Sequence, residues 1–294
     1  MKIDAHQHFW RYSPQDYGWI DHAMNPLKRD FLPEDLFPLM NKIGFDGSIS
    51  VQARQKLEET QWLLSLSKKY DFIKGVVGWV DLRSKNLPFQ LETFKQHSKF
   101  KGVRHVIQDE PDDQFILGKA FHEGIRELSH YDLIYEILIF HKHLPSTLKF
   151  VEQFPEQPFV LDHIAKPNIK GGIQHPWKEN IQRLAEFPNV YCKVSGMVTE
   201  ADWQNWQQQD FYPFLDTVFE CFGTHRLMIG SDWPVCTLGG SYTEILQIVI
   251  DYIQDFPQNE QDRILGENAV DIYKISVNKG TAHESSRINR ISKI

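Results

Sequence analysis

Lys2-Ile3-Asp4-Ala5-His6-Gln7-His8-Phe9-Trp10 decides the fold by what it carries and by what it lacks. Its first half suits a strand over 2–6, and chemistry-bearing side chains follow at once. No glycine-rich turn comes after it, so it does not open the phosphate-binding crevice of a doubly wound sheet. Seven further apolar or β-branched runs stand at 47–52, 72–80, 102–107, 133–139, 159–162, 190–194 and 227–230. Amphipathic stretches alternate with them at 33–42, 57–70, 87–97, 114–129, 144–154, 177–187, 212–222 and 242–256. Eight alternations predict a closed parallel sheet with helices outside, a single-domain (β/α)8 barrel over 1–275.

Several helices carry stops of the usual kind: Gly44, Pro155, Pro188 and Gly223 each stand just past a predicted end. A last helix is expected around 260–275, and the polar tail 276–294, without a sustained apolar face, is expected to be poorly ordered. No low-complexity linker divides the units.

Composition narrows the function classes. With 41% hydrophobic and 24% charged residues the chain can bury a large core. A net charge of -7 leaves no basic face for nucleic acid and no membrane-surface patch. The opening Met1-Lys2-Ile3-Asp4 lacks the apolar stretch of a secretory signal, and a cytoplasmic protein is expected. Cys192, Cys221 and Cys236 are odd in number and lack CxxC spacing, so reduced thiols are expected rather than disulfides or a structural zinc site.

In such barrels catalytic groups sit at the C-terminal ends of the strands. There His6 and His8, two apart, point to one side, where they can ligate a metal or donate to a developing oxyanion. His163 closes the sixth run and Asp232 the eighth, although either one alone also suits a structural role. Strand eight of a closed barrel lies beside strand one, which brings Asp232 to the histidine pair. Ionised at neutral pH, Asp232 is the candidate base on water.

Arg104 stands inside an apolar run and needs a partner, either a fixed carboxylate or an anionic or carbonyl-bearing substrate. Lys193 faces the same choice between a carboxylate and sugar hydroxyls. Gln52, His105, Gln108 and Glu110 lie at strand exits as further substrate-binding candidates. Trp10, Trp79 and Trp233 offer flat faces for a ring, or cap the barrel mouth. His141 and His143 fall beyond the fifth run, where they can equally well open the next helix.

Five stretches in order carry a family resemblance: Asp4-Ala5-His6-Gln7-His8-Phe9-Trp10, Gly102-Val103-Arg104-His105, Leu161-Asp162-His163-Ile164-Ala165-Lys166-Pro167, Cys192-Lys193-Val194-Ser195-Gly196 and Gly230-Ser231-Asp232-Trp233-Pro234. They resemble the sugar-lactonase branch of the amidohydrolase superfamily, typified by L-fuconolactonase and L-rhamnonolactonase-like enzymes. The resemblance implies hydrolysis of a small sugar lactone to an aldonic acid. Superfamily members with two metals use a modified lysine or a glutamate after strand four. Arg104 and His105 stand there instead, so a binuclear centre is not expected. The resemblance implies either no required cofactor or one divalent cation such as zinc on His6, His8, His163 and Asp232. A metal-dependent decarboxylase of the same superfamily is the alternative, and a non-catalytic sugar-acid binder a third reading.

Overall fold

Alternation of apolar strand and amphipathic helix is realised as eight βα units in the computed structural model, which describes residues 1–276. The strands are β1 (Ile3–Gln7), β2 (Gly47–Val51), β3 (Ile73–Gly78), β4 (Phe100–Val106), β5 (Ile134–Leu138), β6 (Phe159–Leu161), β7 (Val190–Val194) and β8 (Leu227–Ile229). All pair in parallel in sequence order. The helices that return the chain are α1 (Pro33–Lys42), α2 (Leu57–Lys69), α3 (Leu87–Lys95), α4 (Lys119–His130), α5 (Leu144–Val151), α6 (Trp177–Ala185), α7 (Tyr212–Phe222) and α8 (Tyr242–Tyr252). Two short helices follow, α9 (Gln258–Asp262) and α10 (Asn268–Ile272).

The last strand meets the first just past their regular pairing. Asp232 N donates to His6 O at 2.8 Å and His8 N to Trp233 O at 2.6 Å. That approach needs Gly230, because a Cβ there would stand 2.8 Å from His6 Cβ and 3.1 Å from Ser195 Cβ. The register of β1 on β2 shifts between Asp4 and Gln7, a bulge that kinks the strand where its functional residues begin.

Below the site, Ile3, Ala5, Ile49, Val77, Val160 and Met228 form an apolar cluster with Tyr273 and Ile275 from the end of the described chain. A larger core lies between strands and helices, with Trp177, Phe121 and Phe150 among its fully buried rings. Burial at about 25 cal/mol per Å² makes these two layers the main stabilising term.

Two expected elements are broken. The stretch 114–129 divides at Gly118, whose extended backbone (φ -63°, ψ 135°) separates a 3-10 turn at Phe115–Leu117 from α4. The last helix is interrupted at Gly266, where an added Cβ would lie 2.0 Å from Met1 O, so the helix gives way to the backbone of residues 1–3 that leads into β1. The expectation for the tail falls, beyond residue 276, outside the described residues. Cys192, Cys221 and Cys236 are free thiols. No helix among the described residues is long and apolar enough to cross a membrane.

Candidate active site

Strained backbone marks the mouth of the barrel. After β6 four consecutive residues, His163, Ile164, Ala165 and Lys166, have φ of 55°, 48°, 61° and 49°, and Asp232 after β8 has φ of 59°. Each costs on the order of 1–2 kcal/mol for a residue with a Cβ, and a β-branched residue such as Ile164 is a rare occupant. Packing holds the left-handed turn: Ile164 is fully buried, its carbonyl accepts from Trp177 Nε1 at 2.7 Å, and Lys166 N closes on His163 O at 2.8 Å. Strain kept at such positions is characteristic of functional sites.

The loop that carries Asp232 is fixed from beneath. Ser241 and Glu244 form a capping box that starts α8. The next residue, Tyr242, donates its hydroxyl to Asp4 at 3.1 Å. Asp4 also accepts from Ser231 N at 2.9 Å and Ser231 Oγ at 2.6 Å, locking the residue before Asp232. Burial pushes the Asp4 carboxyl up to about 6 against these hydrogen bonds.

Around Asp232 three imidazoles converge. Its Oδ1 lies 3.3 Å from His8 Nε2, 3.8 Å from His6 Nε2 and 3.9 Å from His163 Nε2, and the two Nε2 atoms of His6 and His8 are 3.2 Å apart. His8 turns Nδ1 to Val51 O at 2.8 Å and His163 turns Nδ1 to Ser195 Oγ at 2.9 Å, so both aim Nε2 inward. Gly196, with φ of 61°, leaves room for the His163 ring, since a Cβ there would stand 2.4 Å from Nδ1. Burial lowers His6 well below its ordinary value, and it takes His163 down to about 4 against the pull of Asp232. Burial would raise Asp232, but His163, His8 and His6 outweigh it and hold the carboxyl below the usual range.

A second set of charges lies directly under the first. Arg104 Nη1 reaches Asp162 Oδ2 at 2.9 Å and His6 Nε2 at 3.3 Å, while its Nη2 donates to Gln52 O. Asp162 Oδ1 faces His6 Nδ1 at 3.3 Å. Lys193 Nζ stands 3.2 Å from Asp162 and 2.6 Å from Glu136, which accepts from Tyr273. Burial pushes Glu136 up to about 7, with Lys193 opposing.

A cavity of about 120 Å³ opens above, lined by His8, Arg104, Gln108, His163, Lys166 and Asp232 on its polar side. Trp10, Trp19, Ala53, Val106, Leu138 and Val235 supply apolar walls, and Asp109 adds a carboxylate. Arg104 Nε and Gln108 Oε1 are buried without a partner in the protein. These are groups with capacity for a ligand.

Of the sequence candidates, His6, His8, His163, Asp232 and Arg104 meet in one cluster, and Trp10 and Gln108 join them at the cavity. Others stand behind it. Lys193 is fully buried on carboxylates, and Gln52 braces Arg104 through its carbonyl oxygen and through Nε2 at 3.3 Å from Arg104 O. His105 pairs with Glu110 at 2.6 Å and accepts from Trp79 at 3.4 Å. Trp233 packs on Phe31 with ring centres 5.3 Å apart. His141 bonds Lys166 O at 2.9 Å, and His143 pairs with Asp113 at 3.1 Å at the start of α5. Lys166, Trp19, Asp109 and Asp162 were not singled out from sequence. Asp162 and Lys166 stand in the quoted stretch Leu161–Pro167, and Asp162 has the further signal of the carboxylate that buried Arg104 requires.

The donor set suits a metal ion by geometry. Zinc bonds of about 2.0–2.1 Å place tetrahedral ligands roughly 3.3 Å apart, and the spacings of His6, His8 and Asp232 are 3.2, 3.3 and 3.8 Å. The family model for amidohydrolases matches residues 3–275. The chain belongs to the amidohydrolase family. This amidohydrolase is 39% identical to an L-fucono-1,5-lactonase of Burkholderia multivorans over 259 residues, 85% of the chain and 87% of that protein. It is 34% identical over 290 residues to an L-fucono-1,5-lactonase of Burkholderia ambifaria, covering 96% and 99%. A solved amidohydrolase of Burkholderia multivorans with bound zinc superposes with a TM-score of 0.91 at 37% identity, over 94% of this chain and all of that one.

Proposed function

We propose that this amidohydrolase is a lactonase, a carboxylic-ester hydrolase that opens a sugar lactone to its hydroxy acid, with L-fucono-1,5-lactone as the leading substrate. The observation that carries the reading is the Asp232 carboxylate ringed by imidazoles beside the Arg104 guanidinium, at the floor of a small cavity. Two relatives named L-fucono-1,5-lactonase, matched over 85% and 96% of this chain, support the substrate class.

The lactone carbonyl accepts from the unpartnered Arg104 Nε–H and from His163 Nε2–H, the tautomer in which His163 Nδ1 accepts from Ser195 Oγ. Asp232 takes a proton from water as the oxygen attacks the acyl carbon. Collapse of the tetrahedral intermediate breaks the ring C–O bond, and Asp232 returns the proton to the departing alkoxide. The product acid ionises and releases one proton per turnover. Gln108 and Asp109 face the ring hydroxyls, and the tryptophans its apolar side. His6, His8, His163 and Asp232 would hold a divalent ion, which when bound supplies further polarisation of the carbonyl or of water.

Arg104 already places a permanent cation 3.3 Å from His6 Nε2, and this favours turnover without a metal. The test is proton release with a pH indicator, for metal-stripped and zinc-reconstituted protein, against sugar 1,4- and 1,5-lactones. Turnover in both preparations is the expected result. Turnover only with zinc would transfer carbonyl polarisation from Arg104 to the ion, and carbon dioxide release from an aromatic acid without lactone turnover would replace the lactonase by the decarboxylase.

A further inference from the structure

Ring opening converts a neutral ester into an anion, inside a site that already holds the Asp232 carboxylate. Arg104 is committed to Asp162, so it offsets little of that new charge. The cavity has a second cation. Lys166 lines it, three residues past His163, and among the described residues no carboxylate lies within ion-pair distance of its ammonium. Its Nζ lies 5.3 Å from the centre of the Phe140 ring, and its charge opposes the burial that raises the Glu200 carboxyl.

The backbone shows that this placement is built. Lys166 ends the left-handed turn, and one turn brings residues i and i+3 to the same side, so His163 and Lys166 enter the cavity together. His141 holds the Lys166 carbonyl at 2.9 Å, and Trp177 holds Ile164 O at 2.7 Å from behind. The turn is kept although four residues at positive φ strain it.

We propose that Lys166 is a specificity-determining residue that binds the carboxylate of the ring-opened hydroxy acid, and so governs affinity for product rather than for the neutral lactone. The inference rests on the lactonase reading. A charge-assisted hydrogen bond corresponds to about tenfold or more in affinity, and it distinguishes an anion from an ester.

The test uses the full chain and sodium L-fuconate as probe, with binding measured by calorimetry on wild type, Lys166→Met and Lys166→Arg, beside lactone kinetics on all three. Fuconate binding is expected to weaken about tenfold or more in Lys166→Met and to be kept within threefold in Lys166→Arg. The KM for the neutral lactone is expected to move less than threefold. Equal fuconate affinity in wild type and Lys166→Met overturns the proposal, as does wild type that binds no fuconate. A parallel rise of lactone KM and fuconate dissociation constant also overturns it, since the lysine would then act on hydroxyls common to both. Lactone turnover by wild type reports on the lactonase reading separately, so the two failures are distinguishable. Thermal melting of the variants checks that the turn survives.

Discussion

Deep in the barrel, Lys193 stands against Glu136 and Asp162, Tyr273 donates to Glu136, and all four side chains are fully buried. At the mouth, Arg104 Nε and Gln108 Oε1 have no partner, among the described residues no carboxylate lies within ion-pair distance of Lys166, and five non-glycine residues hold positive φ. The same barrel therefore satisfies its charges at one level and leaves them unspent at the next. Buried ions are tolerated when paired, and unpaired polar groups are retained where a ligand can complete them. The lower level serves the upper through Asp162, which orients both Arg104 and His6.

The largest effect should come from the mouth. Asp232→Asn keeps the shape and removes the base, and kcat is expected to fall by about 10²–10⁴ with KM nearly unchanged. Proton-release kinetics would check this, and near-normal turnover would remove Asp232 from its role.

At the lower level the readout should be stability. Lys193→Met leaves two buried carboxylates short of a cation and is expected to cost about 3–5 kcal/mol in urea unfolding, with Glu136→Gln in the same chain recovering part. A cost below about 1 kcal/mol would mean that the network is not holding its charges by pairing.

Protonation joins the two levels. Burial lowers His163 from 6.5 to about 4, so between those values the folded chain binds fewer protons than the unfolded one. Stability is full above pH 6.5 and falls as pH drops toward 4, by roughly 3 kcal/mol in all. Unfolding free energies across that range should lose this component in His163→Asn. An unchanged pH dependence in that variant would assign it elsewhere.

The smallest effect belongs to the closed end. Gly266→Ala sets a methyl 2.0 Å from Met1 O, and a loss of about 1–3 kcal/mol is expected with kcat unaltered. A change in kcat there would show that the floor of the barrel is coupled to its mouth.

Much of the fold was legible locally. Eight runs of strand character and eight amphipathic stretches named the barrel, and strand boundaries agree to within a residue or two. The breaks at Gly118 and Gly266 were not legible. At Gly266 the cause is a backbone oxygen more than 260 residues away, and no periodicity records it.

By itself the sequence determined the architecture and placed His6, His8, Arg104, His163 and Asp232 at strand exits. Both follow from hydrophobic period and chain order, which are local properties. Tertiary structure decided the partners and the handedness. Asp232 meets His8 across 224 positions, and Arg104 finds Asp162 across 58, so which carboxylate neutralises which cation depends on closure of the barrel. The left-handed turn that delivers Lys166 runs against the local preference of Ile164 and Ala165. It persists because the packing of Trp177 and Gly196 around it outweighs that preference.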